Sequence, residues 1–372
     1  MFRIFLLFII SIIAFSCTYK HERLDFNTVE KQDKLNFSEV FSSSELIFLE
    51  EMEDNQVFQI DKLITTENRF FIGDIEMSEG LFAFDKTGKF LWNMYSSIGA
   101  PSEFTELSDF DVNEEEEKIY VLSTGQGRVF VYDFGGQFVE DFKIPDQLIV
   151  YNIASLGDNK FIFYRDLIKE TKVDYPYQII SYDMTTNEYI DQDLPIPARQ
   201  LLHSNDFNIS RNADQLFISQ VYSSTLFSCS SSGQFSEYLK LGGFNTIDEL
   251  DGIADSGEFS QTLANMDLHL FLGMFLGGPD FTSFMYREGK YTRMFFENRR
   301  TNFSRAFKGF NFDLEDYPVS HFMNAYQNDI YAQIDEEIFT YFATSKPESS
   351  LAKAIVSNNQ SMSPILVKLT LK

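Results

Sequence analysis

Phe82-Ala83-Phe84-Asp85-Lys86-Thr87-Gly88-Lys89-Phe90 is the stretch on which the fold of this chain turns. An apolar strand runs into Asp85, a polar turn follows, and Phe90 restarts the chain as a second strand. Each residue type has a structural reason to be there: Asp caps a turn through its side chain, and Gly takes the positive φ of a tight hairpin. The pattern returns at Phe130–Phe138, at Ile180–Tyr189 and at Leu226–Phe235, with a degenerate fifth copy at Phe284–Tyr291. From Asp85 the matching positions fall at Asp133, Asp183, Cys229 and Arg287, spacings of 48, 50, 46 and 58 residues. Gly-containing hairpins at so regular a period predict a β-propeller with one four-stranded blade per repeat.

Working outward, a short apolar strand precedes each hairpin: Phe70–Ile72, Ile119–Leu122, Phe161–Tyr164 and Leu216–Ser219. A sixth lies at Asp329–Gln333, and Glu337–Phe342 reads as the strand after it. The expected fold is all-β, a six-bladed β-propeller closed by N- and C-terminal strands. Leu46–Leu49 is the natural partner of the final strand Pro364–Leu369, and residues 347–359 read as a short C-terminal helix.

Composition agrees. Aromatic residues make up 16% of the 372, an excess that suits β-sheet and places alternating Phe between blades. Thirty Lys and Arg stand against 56 Asp and Glu, and a net charge of −26 excludes general affinity for nucleic acid or anionic lipid.

The chain begins with a short basic start and an apolar run from Ile4 to Phe15, the form of a secretory signal too short to span a bilayer. It ends in Ala14-Phe15-Ser16-Cys17, which resembles the bacterial lipobox with Ala14 in place of the usual Leu. The division expected is a signal peptide over 1–16, lipidation at Cys17, a polar tether over 17–40, and the propeller over 41–372. No Asp follows Cys17 directly, which points to outer-membrane retention. With Cys17 lipidated, Cys229 has no disulfide partner.

The lipobox, the Phe-Asp-x-x-Gly-Lys-Phe hairpin, Ile98-Gly99-Ala100-Pro101-Ser102-Glu103-Phe104 and the closing Ser363-Pro364-Ile365-Leu366 together resemble the 6-bladed β-propeller lipoproteins of Bacteroidetes. That family commonly has a Gly-Pro-Gly-Glu-Phe-like run after its first hairpin, and Ser102 departs from it. The resemblance implies a lipid-anchored protein of the cell envelope, periplasmic or surface-facing.

Nucleophile-elbow, phosphate-loop and dinucleotide motifs are absent. Asp109-Phe110-Asp111-Val112-Asn113-Glu114 fails the calcium-loop pattern, with Glu114 where Gly is needed and Tyr120 where Glu is needed. It reads instead as a solvated turn. Arg299-Arg300 reads as surface, with a carboxylated ligand as the alternative. The leading expectation is a non-catalytic binding propeller whose ligand-binding residues are Gly99, Pro101, Glu103, Phe104 and Trp92. Its partner would be a protein, peptide or glycan, with the membrane met only through the lipid and no cofactor. The alternative is a lactonase- or lyase-like metalloenzyme with a divalent metal in the central channel, held by His203, His269 and His321.

Overall fold

The computed structural model of the chain describes residues 22–51, 56–97, 102–145, 148–165, 177–195, 209–246, 266–314, 317–319, 321–358 and 363–372. Its strands form six sheets, each built on four antiparallel strands, the blades of one ring. Blade 1 comprises Lys62–Thr65, Arg69–Asp74, Gly80–Asp85 and Phe90–Tyr95, from the axis outward. Blade 2 runs Asp109–Asn113, Lys118–Ser123, Arg128–Asp133, Phe138–Lys143, and blade 3 Asn152–Gly157, Lys160–Tyr164, Tyr177–Asp183, Glu188–Pro195. Blade 4 is Ile209–Asn212, Gln215–Ile218, Thr225–Cys229, Phe235–Gly242; blade 5 is His269–Gly277, Phe281–Glu288, Tyr291–Asn298, Phe303–Asn311.

Blade 6 closes the ring. Phe322–Tyr326, Asp329–Ile334 and the last strand Ile365–Leu371 are joined by Phe41–Phe48 from the other end of the chain. Ile365 pairs with Phe48 and Val367 with Leu46, so the expected closing partner is the one found.

The core is divided among the blade interfaces. Phe70, Phe82, Tyr331 and Leu366 fill the seam between blades 6 and 1, while Phe71, Phe110, Val121 and Phe130 fill that between 1 and 2. Sandwiched on both faces, the second strand of a blade is apolar almost throughout, as in Lys118–Ser123, where only Lys118 is not buried. Outermost strands carry the polar residues.

The recurring turn is structural. Asp85 Oδ1 accepts from Thr87 N at 2.8 Å and Lys89 N at 3.1 Å, and Gly88 sits at φ +87°. Asp133 does the same for Gly135 N and Gln137 N, both at 2.9 Å. Each such turn also abuts the outer strand of the preceding blade: Gly88 O accepts from Glu50 N, and Gly136 lies against the Trp92 ring.

Two expectations are overturned. Residues 22–40 are no tether. Glu22–Asp25 pairs in parallel with the outer strand of blade 4, Glu30–Asn36 with that of blade 5, and helix α1 (Phe37–Val40) leads into blade 6. This strap buries Phe26 against Phe244, Phe284, Tyr286 and Phe295, with ring centroids 4.6–5.6 Å apart, and Phe37 and Phe41 in the seam between blades 5 and 6. Glu337–Phe342 is not a strand either: it lies in helix α2 (Glu336–Ser345), followed by the expected C-terminal helix α3 (Ser350–Ser357). Asp335 stands at the N-cap of α2, and Ile338, Tyr341 and Phe342 recur at helical spacing. Among the described residues no helix is long and apolar enough to cross a membrane.

Candidate functional site

The antiparallel order fixes two faces. Inter-blade connections and the turns between second and third strands lie on one, called here the top; the Asp–Gly hairpins lie on the bottom.

On the axis, side chains of the innermost strands stitch the blades together. Lys62 Nζ of blade 1 is 2.6 Å from Asp109 Oδ1 of blade 2, whose Oδ2 accepts from Ile153 N of blade 3 at 2.9 Å. Asp111 Oδ2 accepts from Ser155 N at 2.7 Å and pairs with Arg211 of blade 4 at 2.6 Å. Asn212 donates to Gly277 O of blade 5 and Gln327 O of blade 6, at 2.8 and 2.9 Å. Asp109 and Asp111 are therefore buried structural ions, not members of a solvated turn; that turn is confined to Glu114–Glu117. Burial pushes the Asp109 carboxyl up, with the Lys62 ammonium opposing. Two small axial cavities remain, one of about 100 Å³ between the innermost strands of blades 1 to 4 and one of about 40 Å³, the latter with room for ordered water rather than a ligand. Ser210 Oγ and Asn324 Oδ1, in residues lining the smaller one, have no hydrogen-bond partner among the described residues.

A larger cavity, about 510 Å³, opens on the top face between blades 6 and 1. It is lined by Asp61 and Glu76 from blade 1 and by His321, Gln333, Asp335 and Glu337 from blade 6 and the first turn of α2. Asp61 Oδ2 accepts from Ile75 N at 2.6 Å and Glu76 N at 2.8 Å. Gln333 Nε2 donates to Asp335 Oδ1 at 2.5 Å, while Gln333 Oε1 has no partner among the described residues. Burial holds the His321 imidazole below its ordinary value, against the attraction of Asp335.

Of the residues expected to bind ligand, Trp92, Glu103 and Phe104 are described, and each makes contacts within the fold. Trp92, on the outer strand of blade 1, donates from Nε1 to Phe134 O of blade 2 at 2.9 Å. Phe104 is buried in the seam between blades 1 and 2, so it pins its connection down instead of facing a ligand. Glu103 Oε2 accepts from Ser97 Oγ at 2.5 Å. Gly99 and Pro101 lie outside the described residues, as do Cys17 and His203. His269 packs on Phe244, its Nε2 3.1 Å from Glu288 and its Nδ1 3.3 Å from Gly243 O. Of the two described members of the expected metal set, His321 lines a cavity of ligand size and His269 does not, and among the described residues no group of three or more His, Cys, Asp or Glu could hold a metal ion. Arg299 donates to Gly278 O and Phe281 O at 2.5 and 3.1 Å, while Arg300 pairs with Asp280 at 2.7 Å; this island holds a turn together. Cys229 is a buried free thiol, pushed up to about 12 by burial. Gln333 was missed by sequence, although a signal exists: it stands in a second strand where blade 2 has Leu122.

Six four-stranded blades closed by the two ends of the chain define a six-bladed β-propeller. The family model described as Domain of unknown function (DUF4934) matches residues 21–369, and the chain belongs to that family. No curated protein matches the sequence. Among solved structures, the chain is similar to a Bacteroides fragilis protein described as exported, at 15% identity and a TM-score of 0.75, covering 94% of this chain and 99% of that one. It is also similar to a DUF4221 family member from Bacteroides vulgatus, at 11% identity and a TM-score of 0.53, covering 90% and 97%. At these identities the likeness is one of fold.

Proposed function

We propose that this chain is a lipid-anchored, non-catalytic binding propeller of the outer membrane, and that it binds its ligand in the top-face cavity between blades 6 and 1. The observation that carries the reading is the cavity itself: about 510 Å³, within the size range of ligand sites, and lined by Asp61, Glu76, His321, Asp335 and Glu337. The fold of the exported Bacteroides fragilis relative supports an envelope location.

The strap gives the anchor a geometry. Cys17 stands five positions before Glu22, which pairs with Leu239 midway along the outer strand of blade 4 and is heading for the top face. Five residues reach at most about 17 Å. A lipid on Cys17 would therefore hold the outer strand of blade 4 close to the bilayer.

Peptide and glycan arrays test the binding. The expected result is a ligand lost on Gln333→Leu or on filling the cavity with Ile60→Trp, and kept when residues 98–103 are replaced. A ligand indifferent to both cavity variants would overturn the site. Cys17→Ser should release the protein from the membrane fraction; retention would overturn the anchor.

A further inference from the structure

We infer that the outer strand of blade 1, Phe90–Tyr95, is a pairing edge for a second copy of this chain, joined to it antiparallel across a two-fold axis.

Each rim of a propeller is a sheet edge, and proteins guard such edges with charge, proline or a covering strand. The other rims here are guarded. The strap strands that cover blades 4 and 5 carry Arg23 and Asp25, and Lys31 and Asp33. The outer strand of blade 6 has Glu45, that of blade 2 Glu140, and that of blade 3 Glu188. Phe90-Leu91-Trp92-Asn93-Met94-Tyr95 holds neither a charged residue nor a proline, and among the described residues it pairs with Gly80–Asp85 alone. Leu91 is 40% and Tyr95 39% exposed. Blade 1 also stands opposite blade 4 in the ring, across the molecule from the strap strand Glu22–Asp25. The bulge at Leu91 recurs at Val139 of blade 2, so the missing charge, not the backbone, sets this rim apart.

Charge and symmetry select a second copy as the occupant. Two chains of net charge −26 repel where acidic surfaces meet, and least at a rim without charge. Antiparallel pairing of identical strands is self-complementary, because each end of one strand meets the opposite end of the other. Here the two ends differ in sign. Exposed Lys89 precedes the strand, and exposed Glu79 stands at its far end, where its Oε2 accepts from Ser96 Oγ at 2.7 Å. Pairing therefore carries Lys89 of each copy towards Glu79 of the other. Glu50 Oε2 already takes the Phe90 amide at 2.9 Å, so the shared ladder starts beyond Phe90. So short a ladder falls below the about 1,200 Å² of a stable complex, which makes the dimer a weak one.

Sedimentation velocity of the full mature chain, with amide exchange followed at the same concentrations, tests the pairing. The expected result is a dimer whose fraction rises between about 10 and 500 μM, with exchange slowing over residues 91–95. Leu91→Glu should weaken association at least about tenfold by setting like charges at the edge. Val139→Glu, at the matching place on blade 2 and 48% exposed, should leave it unchanged. Lys89→Glu should weaken the dimer, and Lys89→Glu combined with Glu79→Lys should restore it. All of these positions are exposed, so the variants fold. A chain monomeric over the whole range, a dimer indifferent to Leu91→Glu, or one lost equally with Val139→Glu would overturn the proposal.

Discussion

Arg211 of blade 4 reaches Asp111 of blade 2 across the axis, its Nη2 2.6 Å from Asp111 Oδ2 and 2.5 Å from the Ser155 carbonyl of the intervening blade 3. One side chain thus fixes the spacing of three blades. Truncating it as Arg211→Ala leaves a buried, unpaired carboxylate and should cost about 3–5 kcal/mol in urea unfolding. Pairing an apolar residue of similar length with a neutral partner, in Arg211→Met/Asp111→Asn, should recover much of that loss. A single variant as stable as the parent would show that the ring does not depend on this link.

Gly88 and Gly127 offer a matched pair. Both have positive φ, +87° and +60°. A Cβ at Gly127 meets nothing within 4 Å, but one at Gly88 would lie 2.1 Å from Phe48 O in the closing strand. Gly127→Ala should therefore cost only the backbone strain, about 1 kcal/mol, and Gly88→Ala at least roughly twice that. Thermal unfolding of the two variants compares them, and equal losses would deny the contact between the blade 1 turn and blade 6.

Glu288 ties the strap to blade 5. Burial works to raise its carboxyl, but Lys31, His269 and Arg293 outweigh it and hold the group at about 2, against an ordinary 4.5. A depressed carboxylate contributes its stability above the unfolded value and loses it on acidification. Urea midpoints of the parent and Glu288→Gln should differ most above pH 4.5 and converge as pH falls towards 2. A difference that stays constant across that window would contradict the assignment.

Phe26 marks the strap as part of the fold. Its ring is fully buried between blades 4 and 5. Phe26→Ala should cost about 3–5 kcal/mol, as large-to-small changes in a packed core do. Deleting residues 22–36 should further uncover the outer edges of blades 4 and 5 and produce oligomers on size-exclusion chromatography. A deletion that stays monomeric and equally stable would restore the tether reading for this segment.

The hairpins were legible because their chemistry is local: Asp85, Gly88 and Phe90 act on one another within a few residues. The strap was not. An outer-edge strand buries little, and in Glu30–Asn36 only Leu35 is buried, so no alternation marks it. Helix α2 resembles a strand in sequence because Ile338 and Phe342, four positions apart, share a face in either period, and Phe339 and Tyr341 add the aromatic content of a strand. The axial ions were hidden for another reason: Asp111 finds Arg211 only after three blades have formed, 100 positions along the chain. Gln333 could have been noticed as a polar residue in an apolar strand, but the cavity beside it depends on how blade 6 meets blade 1.

The strap also sets an order in time. Ser42 bonds to Leu371 across 329 positions, and Phe26 packs on rings from Phe244 to Phe295. A chain made from its N-terminus begins with the residues that must be seated last. Contacts so distant in sequence form slowly, and until blades 4, 5 and 6 exist their future edge strand has nothing to pair with. The ring is complete only once its final strand pairs with Phe41–Phe48, and loss of Ile365–Leu371 would leave a nearly complete chain with its ring unlatched.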